Sequence, residues 1–365
     1  MKKIFIAATQ QNDGKTTVSL GLIRNFQNEF KKVAFIKPIG QRYLEEEGVK
    51  VDEDSVLIER VAASCKIRCA LKDMSPIAVE KGFTENYIAH PEKKSITGQI
   101  KEAYKKVSSK QDLVIIEGTG HAGVGSVFDH SNAKVAKLLG AKVIIVSSGG
   151  IGRPIDEIAL NKALFEKEVV KILGVIVNKV LPEKLEKISR LVRKGLDRLG
   201  VNVLGVIPYQ PMLSNPTIEQ IVEETNFEVL YGKENLEQYI SLLFVGAMQP
   251  RDALRYIMDD SLLITPGDRE DIIRVVLECY RQNEKGKLKV SGIILTGGII
   301  PSGPILYLLE KAKIPVLLAK ADTYTAATCV HDLTVKIRPQ DTAKINAVIK
   351  LVKENVDLGS ILKGM

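Results

Sequence analysis

The chain has 365 residues, which is long for one domain and sufficient for two. Its net charge of +8 (52 − 44) comes from basic clusters interleaved with acids, which indicates solvated helix faces rather than a nucleic-acid-binding surface. Neither a secretory leader nor an apolar run of membrane-spanning length is visible, and four cysteines are too few for a disulfide framework. We therefore expect a cytoplasmic protein with reduced thiols and with neither a nucleic-acid nor a membrane partner.

The chain begins with a short apolar strand, KIFIA, followed by the loop ATQQNDGK and a helical pattern over TTVSLGLIRNFQNEF. This order is typical of a phosphate-binding loop, in which backbone N–H groups and a helix N-terminus surround an anion. Gly14 would shape the backbone, Lys15 would reach the β/γ-phosphates and Thr16 would hold Mg²⁺. Thr9 stands where the pattern G-x-x-x-x-G-K-[ST] has its first glycine. The alternative is a surface Asn-Asp-Gly turn with a nearby lysine.

Apolar strands and helices then alternate up to about residue 212. The strand segments are KVAFIK, DLVIIEG, AKVIIVSS, ILGVIVN and VNVLGVIP, and the clearest helices are PIDEIALNKALFEKEV and LEKISRLVRKGLDRLG. The strands are rich in Val and Ile without polar alternation, which is typical of a parallel sheet covered on both faces. Residues 1–212 are therefore predicted to form a P-loop NTPase-type α/β domain with a mostly parallel sheet and helices on both faces.

The proline-rich segment PYQPMLSNP (208–216) is the predicted joint to a second, smaller α/β domain over residues 213–335. Residues 336–365 are predicted to form a C-terminal helix and tail. In the second domain Asp268 either caps a helix or belongs to an anion-binding loop. Gly297 and Gly298 either permit a tight strand-to-helix turn or border a second ligand site.

Polar residues follow the predicted strands of the first domain, where ligands sit in open α/β sheets. Lys37 comes directly after KVAFI, and Glu117 follows DLVII in the Walker-B arrangement, in which an acid helps to hold Mg²⁺. Asp52 and Asp54 are further acids near these strands in sequence. Asn178 follows another strand, where its amide could read a purine edge. A lone acid or amide at such a place is otherwise a helix cap or a turn residue.

The segments ATQQNDGKT, FIKPIG, EDSVLIER, IIEGTG, VIVNKV and LGVIPYQP resemble dethiobiotin synthetase-like P-loop proteins, which use a modified phosphate loop. The second domain resembles the DRTGG domain, whose named residues fall on Asp268–Arg269 and Thr296–Gly297–Gly298. Both parts in this order resemble the N-terminal region of long bacterial phosphotransacetylases.

The resemblance implies ATP and Mg²⁺ as cofactors. It implies that Lys37 faces the transferred group and acts in catalysis with Glu117, and that Asn178 and Pro208 border adenine. The implied nucleotide-binding residues are Thr9, Asp13, Gly14, Lys15, Thr16, Thr17, Asn178 and Pro208, and the implied metal ligands are Thr16, Asp54 and Glu117.

Two segments depart from the carboxylating members of that family. KPIGQRY carries Gly40 and Gln41 where those members have a small hydroxyl residue, and GTGHAGVGSVFDHSN replaces their glycine-rich stretch. Within it, His121 is either a phosphate ligand or proton carrier, or a loop histidine that makes hydrogen bonds.

We therefore expect an ATP–Mg²⁺-binding regulatory or sensor protein, working as a homodimer and with a partner enzyme. One alternative is a free-standing ATP-dependent ligase acting on a small carboxylate, carbamate or amine. The other is a DRTGG-mediated interaction module with a structural P-loop. Because the sequence ends some thirty residues after the second domain, we expect no acetyl transfer by this chain itself.

Overall fold

The computed structural model describes residues 1–46, 48–62, 69–282, 290–333 and 335–365, which fall into two compact units. Unit 1 comprises Met1–Tyr209 together with Ile337–Met365, and unit 2 comprises Gln210–Lys336. Of the four cysteines, Cys69, Cys279 and Cys329 are free thiols, and Cys65 lies outside the described residues. Within the described ranges, every helix is too short or too polar to cross a membrane.

Unit 1 is an α/β structure whose strands and helices alternate along the chain. Its strands up to residue 209 are β1 (Lys2–Ala8), β2 (Val33–Ile36), β3 (Ile39–Gly40), β4 (Tyr43–Glu46), β5 (Val49–Asp52), β6 (Ile77–Ala78), β7 (Leu113–Glu117), β8 (Lys142–Ser148), β9 (Ile172–Val180) and β10 (Val203–Pro208). Its helices are α1 (Lys15–Phe26), α2 (Glu53–Ala62), α3 (Leu71–Met74), α4 (Phe83–Ala89), α5 (Lys93–Ser108), α6 (Asn132–Leu138), α7 (Arg153–Lys167) and α8 (Leu185–Asp197), with 3-10 turns at Ser126–Phe128 and Pro182–Lys184.

The central sheet of unit 1 is parallel and has the order β10-β9-β8-β1-β7-β2. The central residues of its inner strands are buried, as at Ile4, Ile115 and Ile144. This burial on both faces explains their continuous apolar sequences. Beside the sheet, β4 and β5 form an antiparallel pair, and β3 pairs with β6 in parallel. The sheet order places the loop after β1 between the ends of β7 and β2 on one side and of β8 and β9 on the other.

Unit 2 is a smaller α/β structure. Its helices are α9 (Pro211–Ser214), α10 (Ile218–Thr225), α11 (Pro250–Ala253), α12 (Glu270–Gln282), α13 (Gly303–Ala312) and α14 (Thr323–His331), and its strands are β11 (Glu228–Tyr231), β12 (Leu242–Val245), β13 (Ser261–Pro266), β14 (Val290–Thr296) and β15 (Val316–Leu318), with a 3-10 turn at Lys233–Asn235. The sheet has the order β11-β15-β14-β13-β12, parallel except for β11. The predicted fold class, a parallel P-loop-type sheet plus a second smaller α/β domain, is confirmed.

The C-terminal segment belongs to unit 1 and contains α15 (Thr342–Asn355) and α16 (Leu358–Gly364). Helix α15 packs along α1, the helix that follows the phosphate loop. Asn25 of α1 donates through Nδ2 to the carbonyl oxygen of Ile349 at 3.0 Å. Just after α15, Val356 bridges Gly205 on the edge strand β10, and the N–H of Asp357 donates to Leu204 at 2.7 Å. The last residues of the chain therefore support the loop helix and cover the open edge of the sheet.

Candidate nucleotide-binding site

The loop between β1 and α1 is closed by its own side chains. Thr9 is buried, and its hydroxyl donates to Asp13 Oδ2 at 2.7 Å, while the N–H of Gln10 donates to the same oxygen at 2.7 Å. Thr9 does not have a positive φ, and its N–H donates to Val146 of β8 at 2.9 Å. The backbone at this position therefore does not require glycine, which explains how a threonine stands in the first glycine position.

Gly14 has two structural reasons to be glycine. It lies at the N-terminus of α1 with φ +95°, in the left-handed region that side chains other than glycine rarely adopt. A Cβ atom there would lie 2.1 Å from Nδ2 of Asn178, which donates to the carbonyl oxygen of Asp13 at 2.9 Å. The amide predicted to border adenine thus also holds the phosphate loop against the end of β9.

Two lysines lie beside the loop. Lys15, the first residue of α1, is buried, and this burial lowers its pKa while the nearby Glu117 opposes the shift. Lys179 donates through Nζ to the carbonyl oxygen of Asn12 at 2.7 Å, and burial lowers its pKa against the opposing charge of Asp13. The burial of Asp13 raises the pKa of its carboxyl, an effect that the Thr9 and Gln10 hydrogen bonds oppose. The loop is therefore flanked by cations suited to an anionic ligand.

The ends of β2, β5 and β7 bring together one lysine and three acids, which we call the Lys37 cluster: Lys37, Asp52, Asp54 and Glu117. Lys37 Nζ lies 2.9 Å from Asp52 Oδ1 and 3.5 Å from Glu117 Oε1, and it donates a short hydrogen bond to Asp54 Oδ2. Each member is buried. The hydroxyl of Thr16 donates to Glu117 Oε1 at 3.1 Å, which joins the cluster to the phosphate loop.

Burial and charge shift the pKa values in the Lys37 cluster. Burial alone would lower the pKa of Lys37, but Asp54, Glu117 and Asp52 together hold it above its ordinary value. Burial raises the pKa of Glu117, with Lys37 opposing the shift and Asp54 adding to it. Glu117 Oε2 and the Ser19 hydroxyl are both buried without a hydrogen bond of standard geometry, and Ser19 is only a smaller influence on the Glu117 pKa. The cluster therefore holds a buried carboxylate whose pKa is raised by burial, an effect that the neighbouring Ser19 hydroxyl opposes.

The remaining predicted site residues lie around this centre. Thr17 is half-buried in the first turn of α1. Pro208 ends β10 beside Val180 of β9, at the same edge of the sheet as Asn178. The structure therefore brings the predicted phosphate and metal residues together, and it places the two residues predicted to border adenine at the ends of neighbouring strands.

The departures from the carboxylating pattern lie beside the loop. Gln11 Nε2 donates to Gln41 Oε1 at 3.0 Å, so these two amides connect the phosphate loop to the segment after Lys37. His121 is exposed and accepts the N–H of Gly123 through Nδ1 at 3.2 Å, which favours the interpretation as a loop histidine.

Two structural supports were not found from the sequence. Asn132, at the start of α6, is buried; its Oδ1 accepts from the N–H of Thr119, and its Nδ2 donates to the carbonyl oxygens of Thr119 and His121. Glu157 of α7 accepts from Gln10 and from Arg153, each at 2.6 Å. Asn132 acts on a loop 11 to 13 residues earlier, and Glu157 reaches Gln10 across 147 residues. The signal that the sequence offered was a polar residue near a helix start.

These residues fit ATP and Mg²⁺ by their chemistry. Gly14 has no side chain that would crowd the loop, two lysines flank the loop, and Glu117 has a buried carboxylate oxygen that makes no hydrogen bond of standard geometry. Among the described residues, no group of three or more His, Cys, Asp or Glu side chains has an arrangement that could hold a metal ion.

The glycine turn of unit 2 uses its own N–H groups internally. Gly297 (φ +76°) donates to Ala321 at 2.7 Å, and Gly298 (φ +65°) donates to Ala319 at 2.9 Å. Arg269 pairs with Asp271 at 2.9 Å and also donates to the carbonyl oxygen of Met248. These bonds favour the interpretation of the glycines as a tight turn.

The strand, phosphate loop and helix of unit 1 define a P-loop NTPase fold. The chain matches the family model described as AAA domain over residues 2–217 and that of the DRTGG domain over residues 220–333. Because the first match covers more than half of the sequence, the chain belongs to this AAA domain family, with a DRTGG domain following.

The chain is similar along nearly its whole length to phosphate acetyltransferases. It is 28% identical to that of Nitratidesulfovibrio vulgaris over 98% of this chain and 51% of the relative, and 26% identical to that of a Synechocystis species over 97% and 50%. The chain thus spans about half the length of these curated relatives.

Two solved structures are among those similar to this chain. The MinD protein of Pyrococcus horikoshii, complexed with Mg-ADP, is 16% identical over 58% of this chain and 83% of that chain, with a TM-score of 0.35. The regulatory region of a Clostridium perfringens pyrophosphatase, comprising CBS and DRTGG domains and complexed with diadenosine tetraphosphate, is 24% identical over 38% and 60%, with a TM-score of 0.27.

Proposed function

We propose that this chain binds ATP–Mg²⁺ in unit 1 and works as a regulatory or sensor protein rather than as a ligase. The observation that carries the proposal is the engagement of Lys37. A ligase of the dethiobiotin synthetase type needs a cation to stabilise the negative charge on the transferred group. In the Lys37 cluster that cation already contacts three carboxylates.

The contacts beside the phosphate loop, where a co-substrate would bind, also support a regulatory protein over a ligase. The amide pair Gln11–Gln41 joins the phosphate loop to the segment after Lys37, where the carboxylating pattern has a small hydroxyl residue. Arg153, at the start of α7 after β8, could supply positive charge as an arginine finger, but it is exposed and paired with Glu157. Without an oriented nucleophile and extra positive charge, phosphoryl transfer is slow. We therefore expect binding of ATP with little hydrolysis.

In this proposal, the phosphates lie against the loop of Thr9, Asp13 and Gly14 and the N-terminus of α1, with Lys15 and Thr17 beside them. Thr16, Asp54 and Glu117 would hold Mg²⁺, which would neutralise charge on the phosphate oxygens. Asn178 and Pro208 would border the adenine.

The relatives give the proposal its biological setting. Their name is phosphate acetyltransferase, and this chain spans about half their length. We propose that the chain reports nucleotide state to an enzyme of that class, as a homodimer in the cytoplasm. The transfer of acetyl groups between coenzyme A and phosphate is not part of its own proposed activity.

Calorimetry with ATP and Mg²⁺ tests the binding, and phosphate release tests turnover. We expect ATP–Mg²⁺ to raise the melting temperature, because a ligand bound only by the folded state stabilises it. We expect only slow phosphate release with ATP alone and no acceleration by diamines, amino acids or bicarbonate. If ATP–Mg²⁺ gives no heat of binding and does not raise the melting temperature, the proposal is contradicted. The remaining hypothesis is then the DRTGG-mediated interaction module with a structural P-loop.

The second candidate is the ligase, which is favoured by the position of Lys37 beside both proposed acidic metal ligands. Turnover that appears with only one co-substrate and disappears in Lys37→Ala and Glu117→Gln would establish this alternative. Turnover that persists in both variants would instead indicate a contaminating enzyme.

A further inference from the structure

Lys37 is held as an internal counter-ion. Its ammonium is buried and contacts three carboxylates from two segments of the chain, Asp52 and Asp54 in one and Glu117 in the other. Its backbone is also fixed, because its N–H donates to the carbonyl oxygen of Met74 at 2.8 Å. A cation that approaches Asp54 and Glu117 must therefore compete with an ammonium that the fold already holds there.

Asp52 is held by hydrogen bonds at both its side chain and its backbone N–H. Its Oδ1 accepts the N–H of Asp54 at 3.0 Å, and its own N–H donates to the hydroxyl of Ser75 at 2.9 Å. Gly40 lies against it, so that a Cβ there would be 2.6 Å from Asp52 Cβ and 2.7 Å from Oδ2. The absence of a side chain at Gly40 allows Asp52 to reach Lys37.

We propose that Lys37, positioned by Asp52, is the resident counter-ion of Asp54 and Glu117 and makes the entry of a divalent cation dependent on nucleotide. A free cation would have to displace the ammonium and would gain only protein ligands. With a nucleotide, phosphate oxygens supply further metal ligands, and Asp52 stays beside Lys37 as its partner. The inference rests on the proposed function, because it assumes that the loop receives a nucleotide.

The first test is a titration of the full chain with Mn²⁺ alone, followed by electron paramagnetic resonance. We expect weak binding by the parent and an affinity at least about tenfold higher in Lys37→Met, because a buried unit charge next to two carboxylates is removed. The matched control is Lys50→Met, which removes a lysine from an exposed pair with Glu80. Lys37→Arg keeps the charge and should bind Mn²⁺ as weakly as the parent.

An unchanged or lower Mn²⁺ affinity in a folded Lys37→Met chain would overturn the inference. Folding is checked by far-ultraviolet circular dichroism, and if Lys37→Met does not fold, Lys37→Gln decides in the same way. A similar gain in Lys50→Met would also overturn it, because the effect would then be one of overall charge.

The second test compares ATP binding with and without Mn²⁺ in the parent and in Asp52→Asn. Without the Asp52 charge, Lys37 competes more strongly for Asp54 and Glu117. The factor by which Mn²⁺ raises the ATP affinity should therefore be at least about fivefold smaller in Asp52→Asn than in the parent. An equal improvement in both proteins would contradict the role of Asp52. If the parent binds ATP in neither condition, the proposed function fails, while the titration with Mn²⁺ alone still decides the role of Lys37.

Discussion

Replacing Gly14 by alanine is expected to weaken both the fold of unit 1 and its phosphate loop. At φ +95° an alanine carries the strain of the left-handed region, about 1–2 kcal/mol. Its Cβ would also lie 2.1 Å from Asn178 Nδ2, which must move and give up its hydrogen bond to Asp13. A hydrogen bond of this kind contributes about 1 kcal/mol net. The expected loss in the free energy of unfolding is therefore about 2–3 kcal/mol.

Urea unfolding followed by far-ultraviolet circular dichroism measures this loss. The chain contains no tryptophan, so intrinsic tryptophan fluorescence is not an option. The matched control is Gly98→Ala on α5, where an added Cβ meets no atom within 4 Å. Because alanine favours a helix over glycine, this control should stabilise unit 1 by about 0.5–1 kcal/mol. Both substitutions lie in unit 1 and act on the same transition.

A double-mutant cycle with Asn178→Ala separates the two contributions. In the Asn178→Ala background, Gly14→Ala should cost only the backbone strain of about 1–2 kcal/mol. ATP-dependent stabilisation should be lost in both chains that carry alanine at position 14, because the loop backbone changes shape. A loss below about 0.5 kcal/mol for Gly14→Ala alone, which is the range of neutral surface changes, would refute the reasoning.

Three further predictions follow from other contacts. Lys15→Ala should abolish the rise in melting temperature with ATP–Mg²⁺ while the apo chain keeps its circular dichroism spectrum; an unchanged ATP response would remove the phosphate-loop interpretation. Gly21→Ala should destabilise unit 1 by about 1–3 kcal/mol through overpacking, because its Cβ would lie 2.3 Å from Val352 Cγ2 on α15; Val352→Ala should recover part of that loss, and no recovery would argue against the α1–α15 contact. His130 is buried, and its ring contacts the Thr97 hydroxyl and the Phe128 carbonyl oxygen. Burial lowers the pKa of His130. The Phe128 hydrogen bond and Asp129 oppose this shift, whereas Lys93 and Lys134 add to it. The unfolded chain therefore binds the proton more readily, so the free energy of unfolding should fall as the pH drops below about 6.5, less steeply in His130→Gln than in the exposed control His90→Gln. Equal slopes in urea titrations of these two variants would count against this assignment.

The sequence was sufficient for the strands of the central sheet, but not for the short strands β3 to β6 beside it. Each strand of the central sheet is a local apolar run, and the run that became β1 leads into the loop and helix of the predicted phosphate site. Lys37 and Glu117 were also visible individually, because a charged residue directly after a buried strand interrupts the apolar pattern. Asp52 and Asp54 were visible only as acids near those strands in sequence. Their meeting at one edge follows from the parallel order of the strands.

Only the tertiary structure decided how those residues are paired. Asp52 is bound to Lys37 because Gly40 leaves it room, and Asn178 holds the loop because β9 ends beside Gly14. The packing of α15 on α1 joins segments more than 300 residues apart, as the Asn25–Ile349 hydrogen bond shows with a separation of 324. Such pairings depend on distances between distant backbone segments, and these leave no local periodicity in the sequence. The residue types of this site are therefore fixed by local sequence, while their partners and charge balance are fixed by the packing of the sheet.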